Sequence, residues 1–502
     1  MRRILILGCS ILFAACGVNR SSFSPVKKYA PEQLQRDYDL YRDILERHHP
    51  SLYWFTPKDS MDYYFEYGRK QLNDSLTEPA FRKILSYVTA RINCGHTSIR
   101  SSKAWSKYSD TVRVGKMFPL SMKLWNDTML VTANLNRKDS ILRRGTQVTR
   151  LNGKTVPELT DTLFRYISTD GYNRTHKYQT LSNRGYFGAL YTLLYGPSEK
   201  YELEYTDSTG ITRQVTIPAY NPAADTAGRL ALRPPAKIPR PSRRERKRQA
   251  ISTIRLLKID TVNHSAMMTL STFSRGYGLR KFFRQSFRAL RDNRITHLIV
   301  DVRGNGGGNV NTSTLLTKYI TDKPFKLADS LYAIRKQSPY YRYIQNHHWN
   351  KLFISFFTHK QKDGYYHFGY FERHYFKPKQ QHHFNGKTYI VTGGNSFSAT
   401  TLFASALLKQ ENVLVVGEET GGGAYGNTAW LIPDVTLPET GVRFRLPLFR
   451  LVIDKEAIQN GRGVQPEIMS FPSIEAIRRN ADFKIETVME LIRADQAQKK
   501  NP

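Results

Sequence analysis

"KTYIVTGGNSFSATTLFASALLKQ", Lys387 to Gln410, decides how the second half of this chain folds. An apolar run ends at two glycines, and a segment rich in Ala, Leu and Phe follows from Ala399. The pattern predicts a buried strand, a tight turn and a buried helix. A helix start leaves backbone N–H groups without partners. Ser398, with Ser396 two residues earlier, is therefore either a helix cap or a nucleophile beside ready-made oxyanion donors. The stretch alone leaves both readings open.

Around it, strand-like and helical runs alternate from Ile251 onward: "SAMMTLSTF", "LRKFFRQSFRALRD", "ITHLIVDV", "VNTSTLLTKYI", then "KTYIVTG", the Ser398 helix and "VLVVGEE". Such alternation indicates βαβ units around a largely parallel sheet, with ligands beyond the carboxyl ends of the strands. We take residues 251–490 as this α/β domain of a multi-domain chain.

Upstream, residues 30–108 read as a helical N-terminal domain, because "PEQLQRDYDLYRDILERHHPSLYWF" and "TEPAFRKILSYVTARI" carry apolar residues at three- and four-residue spacing. His48 and His49 precede Pro50 at a helix exit, where a metal role is not expected. Residues 110–220 turn to short alternating runs such as "TMLVTANL", "TQVTRLNGKTV", "YELEYT" and "TRQVTIPA". Their order resembles a PDZ domain with an insertion near Tyr172–Pro197, without a legible carboxylate-binding loop. Residues 221–250, rich in Pro, Ala, Arg and Lys, read as a basic linker.

The N-terminus, "MRRILILGCSILFAACGVNR", has a basic start, a short apolar run and small residues before Cys16. This looks like a bacterial lipoprotein signal over residues 1–16, with Cys16 as the lipidated residue and Cys9 as the weaker alternative. The expected location is the cell envelope of a Gram-negative-type bacterium, lipid-anchored at the outer membrane or periplasmic face. Cys94 would then be the one free thiol, with no intramolecular disulfide and no cysteine-based metal site. The formal net charge of +34 would suggest nucleic acid, but export argues against that partner. The dense run "KIPRPSRRERKRQ", Lys237 to Gln249, reads as a solvated linker rather than an envelope-binding patch.

Two further stretches carry chemistry. "DVRGNGGGNVNT", Asp301 to Thr312, places three glycines after an apolar strand without the ending of a phosphate loop; it suits an oxyanion hole or a tightly packed turn. "NCGHTSIR", Asn93 to Arg100, offers His96 as a general base. Cys94 beside it is a poor nucleophile candidate, since side chains two residues apart seldom face each other in a loop.

Together, "THLIVDVRGNGGG", "YIVTGGNSFSATTLFASAL", "VLVVGEETGGG" and "NGRGVQPEI", with the upstream "GHT" and the PDZ-like module, resemble the C-terminal processing, tail-specific and tricorn-core peptidases over roughly residues 30–470. The resemblance implies a crotonase-like/ClpP-like core and a serine endopeptidase acting on exported polypeptides, with no cofactor and no metal. Ser398 matches the family nucleophile. The lysine of the Ser-Lys members falls on Gly423, so that dyad is absent from the loop, and the tricorn-core pattern points to His96 as base. For the supporting carboxylate Glu418, Glu419, Glu456 and Glu467 stay open, with Glu419 preferred. The implied oxyanion donors are the amides of Gly307 and Ala399, while Asp301 and Arg303 brace the glycine loop. The alternative is an inactive binder of peptides or hydrophobic ligands, since retinoid-binding proteins of the eye's interphotoreceptor matrix are similar to this family. A basic scaffold or nucleic-acid binder rests on net charge alone. Substrate identity and oligomeric state are not legible.

Overall fold

Lys387–Thr392 forms the expected strand and lies inside a six-stranded sheet. The order across that sheet is Arg255–Asp260, Ser265–Leu270, His297–Asp301, Lys387–Thr392, Val413–Gly417 and Ile468–Met469. The first pair is antiparallel and every later pairing is parallel. The computed structural model describes residues 23–111, 115–225, 242–408 and 410–500. The leader with Cys9 and Cys16 lies outside the described residues, as does most of the Pro-rich part of the expected linker.

Alternate residues of a strand point to opposite faces, so a central parallel strand needs cover on both. Leu298, Val300 and Ile390 pack under helices Leu279–Asp292, Val310–Ile320 and Ala399–Leu407. Their neighbours Ile299, Tyr389 and Val391 pack against Val488 and Ile492 of the C-terminal helix Phe483–Lys500. This two-sided cover is why these strands read as continuous apolar runs.

Two smaller sheets complete the peptidase half. One is antiparallel, in the order His359–Lys360, Tyr366–His367, Ser330–Ala333, Phe449–Val452, Gly426–Ala429, which leaves Gly426–Ala429 at its edge. The other joins Asp434–Thr436, Arg443–Arg445 and Ile99–Arg100. Through that last pairing the segment after the "GHT" loop becomes a strand of the peptidase half.

The N-terminal helices Pro31–His48, Lys58–Arg69 and Glu78–Arg91 are present, but their core is shared rather than separate. Leu34, Tyr41, Phe65 and Leu85 pack in one cluster with Val435, Val442, Phe444 and Leu446. Residues 120–218 form an antiparallel sheet, Leu120–Trp125, Thr128–Asn134, Gln147–Leu151, Lys200–Thr206 and Thr212–Pro218, with Val156–Phe164 started by a Thr155–Glu158 capping box. The insertion near residues 172–197 forms two helices, Arg174–Ser182 and Tyr186–Tyr195.

The linker reading of residues 221–250 needs correction at its end. Arg243–Ser252 is a helix, started by Ser242, whose hydroxyl accepts the Glu245 amide while the Glu245 carboxylate accepts the Ser242 amide. A Ser-x-x-Glu box starts a helix even where no apolar stripe follows, and that signal was readable.

Asp37 is a buried polar tie between the two halves. Fully buried, it accepts from the amides of Glu439 (3.0 Å) and Thr440 (2.8 Å) and from the Thr440 hydroxyl (2.7 Å). Asp37→Ala strands those donors in an apolar interface, and the expected cost is about 2–4 kcal/mol. A urea titration checks this: the unfolding midpoint should fall, and an unchanged midpoint would show that the tie carries no stability.

Candidate active site

Ser398 begins the helix Ala399–Leu407 with φ +55° and ψ −121°, a conformation that a residue with a side chain rarely adopts. Such strain costs about 1–3 kcal/mol and persists only where neighbours enforce it. Here they do: Phe397 N donates to Asn305 O (3.1 Å), and the Ser396 hydroxyl accepts from Gly393 N (3.2 Å) and donates to Val302 O (2.8 Å). Ser396 is thus the brace of the turn. Ser398 makes no side-chain capping bond to its own helix, so capping does not account for this serine. Its half-buried side chain faces a cavity of about 730 Å3, and the adjacent Ala399 amide is a helix-start donor without an acceptor within the helix.

The glycine loop reaches the same turn from the next strand. A Cβ on Gly307 would lie 2.7 Å from both Phe397 O and Ser398 Cβ, and Gly307 has φ +97°. Only glycine fits both demands. The Gly307 amide, however, donates to Asn305 Oδ1 (2.9 Å), so the donor expected from the sequence is already engaged. The glycine that lines the cavity beside Ser398 and Ala399 is Gly308. Arg303 holds the base of this loop by pairing with Asp301 and with Asp482.

His96 arrives on a loop fixed at both ends. Helix Glu78–Arg91 precedes it, Ile99 pairs with Phe444, and Arg445 N donates to Ser98 O (3.0 Å). Thr97 is held by His49 Nε2 at 2.8 Å, which gives the helix-exit histidine a structural use. The His96 ring lies 4.9 Å, centroid to centroid, from Phe397, the neighbour of Ser398, and His176 flanks the same phenyl ring at 5.0 Å. His96 is 6% exposed and neither of its nitrogens has a hydrogen-bond partner among the described residues. Burial, with the Arg445 and His176 charges adding to it, pushes its pKa down to about 3, so the imidazole stays neutral.

The carboxylate beside His96 is Asp170, with Oδ1 3.9 Å from Nδ1. Asp170 accepts from Gly95 N (2.8 Å) and from Gly423 N (3.3 Å). Burial pushes its carboxyl up to about 7, opposed by those two amides. The expected Glu419 is engaged elsewhere: it accepts from Arg462 (2.9 and 2.7 Å), Gly463 N (2.7 Å) and the Thr175 hydroxyl (3.0 Å). Glu418 pairs with Lys484 at 2.6 Å, Glu467 accepts from Val415 N at 2.9 Å, and Glu456 is exposed. None of the four carboxylates read from the sequence stands at the imidazole.

Asp170 lies just before the insertion near Tyr172–Pro197, which the sequence left without a role. Asn173 Nδ2 donates to Thr420 O (2.6 Å) and so ties that insertion to the Glu418–Gly423 loop. "TDGYN" reads locally as a turn, and nothing in its composition separates a buried carboxylate from a solvated one. Cys94 is buried with its thiol pushed up to about 12 by burial, which removes the thiolate a nucleophile needs. Asn427 and Arg445, also missed, line the Ser398 cavity.

Residues 264–470 match the model of Peptidase family S41. Mature CPAF is similar in structure, at 15% identity and a TM-score of 0.61 over 93% of this chain and 98% of that one. Mature CPAF complexed with lactacystin gives 14%, 0.62, 94% and 99%. The photosystem II D1 C-terminal processing protease gives 13%, 0.40, 89% and 96%. No curated protein matches the chain. At these identities the CPAF structures speak to the fold, a multi-domain α/β arrangement shared along nearly the whole length. The family match covers the glycine loop and the Ser398 turn but neither His96 nor Asp170, whose placement rests on geometry. Through residues 264–470 the chain is similar to peptidase family S41, and that match supports a serine-type peptidase hydrolase.

Proposed function

We propose that the protein is a serine endopeptidase of exported polypeptides, with Ser398 as nucleophile, His96 as general base, Asp170 as the carboxylate that orients the imidazole, and the Ala399 and Gly308 amides as oxyanion donors. The observation that carries this reading is the strained Ser398, uncapped and turned to a cavity, one residue from the phenyl ring that a buried His–Asp pair packs against. In the reaction the imidazole takes the Ser398 proton as Oγ attacks the peptide carbonyl. The two amides receive the oxyanion, and the imidazolium returns the proton to the leaving amine. His96 makes no hydrogen bond among the described residues, so its contact with Ser398 is unmade in this structure, and catalytic hydrogen bonds are often long before substrate binds. That open contact is also what favours the competing reading, a binder without turnover. The leader adds a location to the proposal: anchorage through Cys16 in the envelope of a Gram-negative-type bacterium. Palmitate labelling lost in Cys16→Ser is the check on that location.

Turnover of unfolded polypeptide separates enzyme from binder. Ser398→Ala and His96→Ala are each expected to lower kcat by about 10^4-fold or more with the fold intact. Residual activity near wild type in either variant contradicts the assignment.

The pH dependence follows from the two burial shifts. His96 is neutral at every pH above about 3, so it does not set an acid limb near neutrality. Asp170, raised to about 7, loses its charge as pH falls through that value, and with it the stabilisation of the imidazolium. We expect kcat/KM to fall on acidification with an apparent pKa near 7. Asp170→Asn should remove that limb and lower the plateau by about 10^2- to 10^4-fold. A limb that survives in Asp170→Asn assigns it to another group.

A further inference from the structure

Ser398, Ala399 and Gly308 line the cavity together with a group of apolar side chains. The apolar wall comes from separate segments. Phe353 lies on helix His347–Phe357, Phe368 and Phe371 at helix Gly369–Arg373, Leu402 on the Ser398 helix, and Trp430 and Leu451 on the edge strand's turn and its neighbour. Trp430 meets Phe371 edge-to-face at 4.8 Å and Phe368 at 6.3 Å, and Phe353 meets Phe368 at 5.4 Å. Edge-to-face contacts of this kind hold a wall in one shape.

The turn that presents Trp430 is itself strained. Trp430 and Leu431 have φ +67° and +44°, two consecutive bulky residues in the left-handed region. A turn between strands is more easily made with Gly or Asn, so the tryptophan is held there at a cost in backbone energy.

The polar part of the lining has its own unfilled demand. Asn427, 2% exposed and on the edge strand, has no hydrogen-bond partner at either Oδ1 or Nδ2 among the described residues. A carboxamide that lacks both an acceptor and a donor is satisfied by one peptide group, which supplies both. No Asp or Glu lines the cavity, while Arg275 and Arg445 do, so a cationic side chain finds no partner there.

We propose that this cavity is the specificity pocket of the site, taking a large apolar side chain, aromatic or long aliphatic, from a residue next to the scissile bond, with Asn427 bonded to the substrate backbone. The inference rests on Ser398 being the reacting group, and it names the substrate class that group meets. Trp430 and Phe371 exclude water around the side chain, and Gly426–Ala429, the edge strand that carries Asn427, lies beside the extended peptide.

The test separates binding from chemistry. Acetylated, amidated hexapeptides that differ at one position, Phe, Leu, Ala or Lys, are titrated into Ser398→Ala protein of the full chain, and the same peptides are offered to the wild type for cleavage. The Phe and Leu peptides should bind roughly tenfold or more tighter than Ala, with Lys weakest. Trp430→Ala should remove most of that preference, and Val310→Trp, which fills part of the cavity, should shift it toward Ala. Equal binding of all four peptides, no saturable binding, or an unchanged preference in both variants overturns the pocket. Preferential binding without cleavage by the wild type leaves the pocket standing and refutes the peptidase reading instead.

Discussion

The contact between Gly307 and the Phe397–Ser398 backbone is the constraint on which the rest of the site depends. The loop after one parallel strand and the turn after the next approach so closely that a Cβ at Gly307 would lie 2.7 Å from Phe397 O. That approach forces Ser398 out of a capping conformation and leaves its hydroxyl and the Ala399 amide turned to the cavity. A side chain at Gly307 would push the loop away from the turn and strain its own backbone. The energy that holds the strain is spread through Ser396, Asn305 and the parallel sheet behind them.

The histidine and its carboxylate come from parts of the chain far from that turn, and each is delivered by an interaction with the peptidase half. Ile99–Arg100 adds a strand to Arg443–Arg445, which fixes the His96 loop. Asp170 is locked by the amides of Gly95 and Gly423, so one side chain ties the histidine loop to the Glu418–Gly423 loop. The site is therefore a junction of three segments, and the shared core of the N-terminal helices with Val435, Phe444 and Leu446 keeps them in register. Both buried ionisable groups are displaced toward their neutral forms, the state in which a low-dielectric junction costs least.

Much of this was legible in the sequence because strong local patterns carried it. Buried parallel strands read as apolar runs, the three glycines marked a close backbone approach, and "GHT" marked a histidine in a loop. Asp170 was not legible, because its role comes from two amides 75 and 253 residues away, and a Thr-Asp-Gly turn looks the same whether solvated or buried. Glu419 misled for the converse reason: its loop is the right one, but Arg462 and Gly463 take its oxygens. Gly307 and Gly308 could not be told apart by composition, since which amide is free depends on where the Asn305 side chain turns. The helix at Arg243–Ser252 was a plain misreading, hidden by the absence of an apolar stripe rather than by the absence of a cap.

The most direct measurement is covalent labelling of the folded chain lacking residues 1–16 with a fluorophosphonate probe, followed by peptide mapping. The account predicts a single label on Ser398, absent in His96→Ala and slowed in Asp170→Asn. A label on Ser396 or on another serine, or a Ser398 label that forms equally fast without His96, would contradict it.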